Sequence, residues 1–167
     1  MLDYQHLYFE DFKRKLNTTI VINMMNKLLE IALTQYGIKE IAGTNHNVTI
    51  VSYFNEIGFK QIDNDETPWC SAFINWCAMK SGFERTSKLN ARSWLDIGYE
   101  INMDSVQLGD VVILKRGNQA WQGHVGIYIN QDLNSIWILG GNQTNMVNII
   151  SYPKSKILGI RRLNKIN

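Results

Sequence analysis

The sequence predicts an α+β fold, with helices first and an antiparallel meander of about five strands after them. Two observations carry this expectation. Up to residue 98 the apolar residues recur mostly at helical spacing, whereas beyond residue 105 they fall in short β-rich runs punctuated by Gly, Asn and Asp. Order matters too: helices followed by strands, rather than alternating with them, give an α+β layout.

Residues 1–20 are polar and aromatic without a strong period and read as an arm or short helix. This gives an arm at 1–21 and a single domain at 22–167. In "NMMNKLLEIALTQYG" Met24, Met25, Leu28, Leu29, Ala32 and Tyr36 recur at helical spacing, Asn23 can cap, and Gly37 stops the helix. "IKEIAGTNHN" is a loop. "NVTIVSYFNEIGF", residues 47–59, reads as a second helix, although its β-branched residues leave a strand open. In "DETPWCSAFINWC", residues 65–77, Thr67 is a competent N-cap and Pro68 fits the first helical position, where its missing N–H is no loss. Cys70 then takes the third position, and Gly82 ends this helix. "NARSWLDIG" is a short helical turn closed by Gly98. "DVVILKR", "HVGIYIN", "SIWILGG", "VNIISY" and "ILGIRRL" are the strands.

Composition removes several classes of function. The 167 residues carry 17 basic and 15 acidic side chains, a formal charge of +2, with no Lys/Arg block, so nucleic acid is not an expected partner. A hydrophobic fraction of 45% suits a packed core. No apolar run approaches the roughly 18 residues of a membrane span. The opening "MLDYQHLYFEDFKRKLN" places acids early and lacks an apolar centre, so synthesis in the cytoplasm without a signal peptide is expected. Cys70 and Cys77 stand seven apart, about 10 Å along a helix, too far for a disulfide. There is no Cys-x-x-Cys, and His6, His46 and His124 are scattered, so neither a metal nor another cofactor is expected.

Chemistry concentrates at Cys70. A thiol on the first turn of a helix sits at the positive end of the macrodipole beside unpaired backbone N–H groups, which lowers its pKa and favours the reactive thiolate. The Cys70 backbone N–H could also stabilise an oxyanion. The bland alternative is a buried packing residue, the role we assign to Cys77, two turns further along the apolar face. A thiolate nucleophile needs a base. His124 opens an alternating strand between two glycines, whereas His6 and His46 lie in polar surroundings. The following strand ends in Asn142 and Gln143, and in a hairpin an amide there can hold the imidazole. Strand geometry leans towards Asn142 for this task, with Gln143 either the alternative or a substrate contact. A plain turn is the alternative for both.

Taken in order, "TPWCSAFINWC", "ARSWLDIG", "LGDVVILKR", "GHVGIYI" and "LGGNQTNMVNI" resemble the NlpC/P60 and CHAP superfamily of cysteine peptidases and amidases. The resemblance covers about residues 25–163 and is nearest to a small branch with a Trp-Cys start. It implies a papain-like α+β core with the nucleophile helix packed on an antiparallel sheet. It also implies peptidoglycan as substrate, cut at an amide bond of the stem peptide, the cross-bridge or the sugar–peptide junction. By this match Cys70 is the nucleophile, His124 the base and Asn142 the third, polar member.

The sequence departs from the pattern in two places. Many NlpC/P60 enzymes carry Asp-Cys-Ser, where the acid and the serine help hold a substrate amine. Ser71 matches, but Trp69 replaces the acid, leaving Asp65 or Glu66 as candidates for that charge. The third member is often His there, and no histidine follows His124, which points towards the CHAP pattern. Trp69, Trp94 and Trp121 flank the proposed catalytic segments and could wall a glycan or peptide cleft, core packing being the alternative. Arg92 and Ser93 could meet a substrate carboxylate or serve structure alone.

The expected function is therefore a cell-wall hydrolase working through a thioester. An intracellular cysteine isopeptidase or acyltransferase, and a non-catalytic binding module, are the alternatives. Cytoplasmic synthesis and a wall substrate are reconciled by a holin or by secretion machinery, the latter implying an immunity protein.

Overall fold

The computed structural model describes residues 27–166. The arm and the positions of Asn23, Met24 and Met25 lie outside the described residues. Among the described residues three helices precede a six-stranded antiparallel sheet. The helices are α1 (Lys27–Leu33), α2 (Val48–Glu56) and α3 (Cys70–Ser81), followed by a 3-10 turn over Ala91–Asp96. The strands are β1 (Tyr99–Glu100), β2 (Val111–Lys115), β3 (Gly123–Gln131), β4 (Ser135–Gln143), β5 (Met146–Pro153) and β6 (Ile157–Arg162), in the spatial order β1-β6-β2-β3-β4-β5. β1 is the strand that sequence reading passed over. It is two residues long and pairs with Arg161 and Arg162 where Gly98 lets the chain approach β6.

Local chemistry explains the helix boundaries. The α2 segment is helical because Ile50, Tyr53 and Phe54 share one buried face, and Asn47 Oδ1 caps it by accepting from the Thr49 N–H at 2.9 Å. α3 begins later than its sequence suggests. Thr67 does not cap it, because its N–H and hydroxyl both bond Asn64 Oδ1. Trp69 takes the cap position without a side-chain bond, and Cys70 becomes the first helical residue rather than the third. Gly82, at φ 75°, ends α3 in the left-handed conformation as expected.

α1 is shorter than its pattern. After Leu33 the chain turns, and Gly37 opens a stretch that bonds the hairpin joining β4 to β5. Gly37 N donates to Val147 O, Val147 N to Ile38 O, and Glu40 N to Asn145 O, at 2.7–2.9 Å. The sequence had shown this stretch only as loop.

The helices cover one face of the sheet. Leu28, Ile50, Tyr53, Phe54, Trp69, Phe73, Trp94 and Ile127 are among the residues of that main core. A smaller cluster on Val112, Leu114, Tyr128, Ile136, Ile138 and Ile160 fills the other side. Gly141 lets the two layers meet, since a Cβ there would come within 2.6 Å of Trp69 and 2.8 Å of Phe73. At the far end of β2, Asp110 accepts from Arg162 Nε and Nη2, both at 2.8 Å, tying β6 to the sheet.

Candidate active site

Two neighbouring elements carry the candidate cysteine and histidine. The first turn of α3 presents Cys70, and the start of β3 presents His124, with its backbone neighbour Val125 sending its N–H to the Cys70 thiol. Cys70 lies on the wall of an open cleft of about 950 Å³. Cys77 is fully buried, and both thiols are free.

The imidazole is held from one side only. His124 is 3% exposed, and its Nε2 stands 3.0 Å from Gln143 Oε1. The orientation of that amide is fixed from behind: Gln143 Nε2 donates to Asn148 O at 2.6 Å, Asn148 Oδ1 at 3.1 Å and Ile138 O at 3.4 Å. With the amide nitrogen committed, Oε1 faces the ring and can only accept. The proton therefore sits on Nε2, and Nδ1 keeps its lone pair. Nδ1 is buried and has no hydrogen-bond partner.

The amide that reaches His124 thus belongs to Gln143, whereas the strand pattern favoured Asn142. A bulge is the reason. β3 pairs with β4 through Ile127↔Leu139, and extending that register by three residues would set Asn142 opposite His124. Between Gly140 and Gln143 the β4–β5 register slips, with Asn142 in the left-handed region at φ 57°. The extra residue moves Gln143 under the ring, and Asn142, half-buried, lines the cleft instead. Thr144 and Asn145, at φ 50° and 62°, then close a two-residue turn between the paired Gln143 and Met146.

Electrostatics correct a second expectation. Helix-end placement predicts a depressed thiol pKa, yet burial pushes the Cys70 thiol up, against the Val125 N–H and the positive charge of Arg116. Burial also lowers His124, to about 4, with Gln143 opposing and Arg116 adding to it. Both members are therefore neutral at pH 7. Tyr152 packs its ring 5.6 Å from that of His124, and burial raises its hydroxyl to about 12.

Other sequence candidates separate into cleft and core. Glu66 and Trp121 line the cleft, and Trp121 is 67% exposed. Trp69 and Trp94 do not; both are fully buried, with their indole N–H groups donating to Glu40 Oε1 and Ser71 Oγ. Ser71 is buried as well and donates to Lys88 O at 2.7 Å, so it faces no substrate. Asp65 is likewise sealed. Burial would raise its carboxyl, but the Asn47 and Ile41 backbone N–H groups and His46 hold it below the usual range, where it ties down the loop before α2. Arg92 donates from Nε to Gln122 O at 2.8 Å, and Ser93 bonds Asn90 O.

Sequence reading missed Glu40 and Arg116, both on the cleft. The hairpin pairing Lys115↔Gly123 could have revealed Arg116, since it sets residue 116 at the end of the hairpin that presents His124. Glu40 carries no local signal, because its place depends on backbone bonds to a distant turn. Among the described residues no three His, Cys, Asp or Glu side chains converge as metal ligands, and no helix is long and apolar enough to cross a membrane.

Comparison with known proteins agrees with this architecture. Residues 62–142 match the CHAP domain. Among solved structures, a protein of Staphylococcus aureus subsp. aureus Mu50, described as similar to lipoprotein, NLP/P60 family, is similar with a TM-score of 0.51 and 20% identity. The likeness covers 84% of this chain and 41% of that protein, so the chain spans less than half of its length. No curated protein matches by sequence.

Proposed function

The chain carries an NlpC/P60–CHAP fold with its CHAP match over residues 62–142, and from that premise we propose that it is a cysteine peptidase or amidase acting on peptidoglycan. The bond cut is an amide of the stem peptide, the cross-bridge or the sugar–peptide junction. Cys70 is the nucleophile, His124 the base and Gln143 the residue that orients it. The observation that carries this reading is the lone pair of His124 Nδ1, buried and unpartnered, with its tautomer set by Gln143, on the strand whose Val125 N–H meets the cleft thiol Cys70.

In the reaction the thiol proton passes to Nδ1 as sulfur attacks the carbonyl carbon. The carbonyl oxygen takes the negative charge, and the first-turn N–H groups of α3, which have no acceptor within the helix, are the donors available to receive it. Collapse expels the amine, which takes the proton from the imidazolium and leaves a thioester. Nδ1 then deprotonates a water that attacks the thioester, releasing the carboxylic acid and restoring the thiol. Starting from a neutral pair, charge separation happens only with attack.

The test is digestion of purified peptidoglycan by the wild type and by Cys70→Ala, with released fragments identified by mass spectrometry. Fragments that appear only with the wild type support the proposal, and their masses identify the bond. Intact peptidoglycan under both proteins, across differing cross-bridge chemistries, would overturn it.

A further inference from the structure

Arg116 is the first residue beyond β2, and the register Lys115↔Gly123 sets it at the end of the hairpin where β3 presents His124. The loop it begins is a built structure. Gly117, at φ 62°, makes the turn, Gln122 Oε1 accepts from Gln119 N at 3.0 Å, and Arg92 Nε anchors Gln122 O at 2.8 Å. Arg116 lines the cleft together with Cys70, Trp121 and Asn142. Its positive charge is felt at Cys70, His124 and Tyr152, in keeping with its place on the cleft wall.

Among the described residues no carboxylate forms an ion pair with Arg116. Of the cleft acids, Glu40 accepts from Trp69 and Glu66 is exposed to solvent. The resting thiol is neutral and gives the guanidinium no anion to balance. An arginine left unpaired in a cleft matches a planar, bidentate anion, and a carboxylate is the one a peptide supplies.

We infer that Arg116 receives a free carboxylate of the substrate, so that the cleft selects stem peptides whose carboxylate beside the scissile amide is not amidated. This rests on the hydrolase reading above and adds a chemical selectivity to it.

The experiment uses stem peptides in matched free-acid and carboxamide forms. Their binding to the Cys70→Ala protein is measured by calorimetry, and their cleavage by the wild type by chromatography. The free acid is expected to bind about tenfold more tightly, the scale of a charge-assisted bond at a partly solvated site. Arg116→Gln, checked for folding by circular dichroism, should remove that preference, and Arg116→Lys should keep part of it. Equal binding of acid and amide overturns the inference, as does an equal loss of cleavage for both in Arg116→Gln with Cys70 intact, which would assign the charge to the developing thiolate instead. Cleavage without discrimination leaves the hydrolase reading standing and removes the role of Arg116. Discrimination without cleavage does the reverse, and peptides that are neither bound nor cut overturn both.

Discussion

Alkylation of Cys70 should follow pH steeply through neutrality. The structure places two opposing effects on this thiol. The α3 terminus, the Val125 N–H and Arg116 favour the thiolate, while burial of a residue only 5% exposed favours the thiol, and burial wins. His124, lowered to about 4, stays neutral at every pH above that and takes no proton from resting sulfur. With a thiol above its ordinary value of about 8.5, the thiolate fraction at pH 7 is below about 3% and grows about tenfold per pH unit. The rate constant for iodoacetamide should therefore climb by about two orders of magnitude from pH 6 to pH 8. Intact-protein mass spectrometry gives the rate, and fragment ions separate Cys70 from the fully buried Cys77. A level profile across that window would mean that a thiolate–imidazolium pair exists at rest. The reasoning that burial outweighs the helix end would then be wrong.

Two further perturbations probe the frame around the pair. Gly141→Ala would push a methyl about 1 Å inside ordinary carbon contact with Trp69 and Phe73, costing about 2 kcal/mol and lowering Tm by about 5 °C. Thermal unfolding followed by circular dichroism checks this, and an unchanged Tm would show slack between β4 and α3. Gln143→Leu keeps the volume but leaves His124 Nε2 without an acceptor, at a cost of about 1–3 kcal/mol that should appear as a fall in kcat of about ten- to a hundredfold. Turnover near the wild-type value in a folded Gln143→Leu protein would show that the ring needs no such support.

Most of the fold was legible because its signals are local. Apolar residues at helical spacing marked α2 and α3, glycine at φ 75° ended α3, and β-branched runs between turn residues marked the five longer strands. What escaped depends on partners far away in sequence. Thr67 looks like a cap in isolation, but Asn64 competes for its N–H and hydroxyl. β1 is too short to carry a period, and it exists because Gly98 lets the chain meet β6.

The site divides the same way. Cys70 and His124 stand out by residue type and by position at element starts. Hairpin geometry leaned towards Asn142, and a single inserted residue handed its place to Gln143. Trp69 and Ser71 flank the cysteine in sequence, Asp65 lies just upstream and Trp94 sits on the 3-10 turn, but all four are buried, and that burial was not visible from spacing. Arg116 and Glu40 reach the cleft only through tertiary pairing.

The connection after α3 has a consequence for how this cleft could change its preferences. Ser71 Oγ and Asn75 Nδ2 both bond Lys88 O, Asn75 Oδ1 accepts from Ser87 N, and Trp94 closes the set by donating to Ser71. Leu89, Asn90 and Ala91, one wall of the cleft, therefore hang from the helix that carries Cys70. Any redesign of that wall would also disturb the thiol. Residues 116–121 have no such tether to α3, and their anchor at Gln122 leads to Arg92. Changes within 118–121 would therefore leave the packing of Cys70 untouched, whereas substitutions at 88–91 reach it through α3.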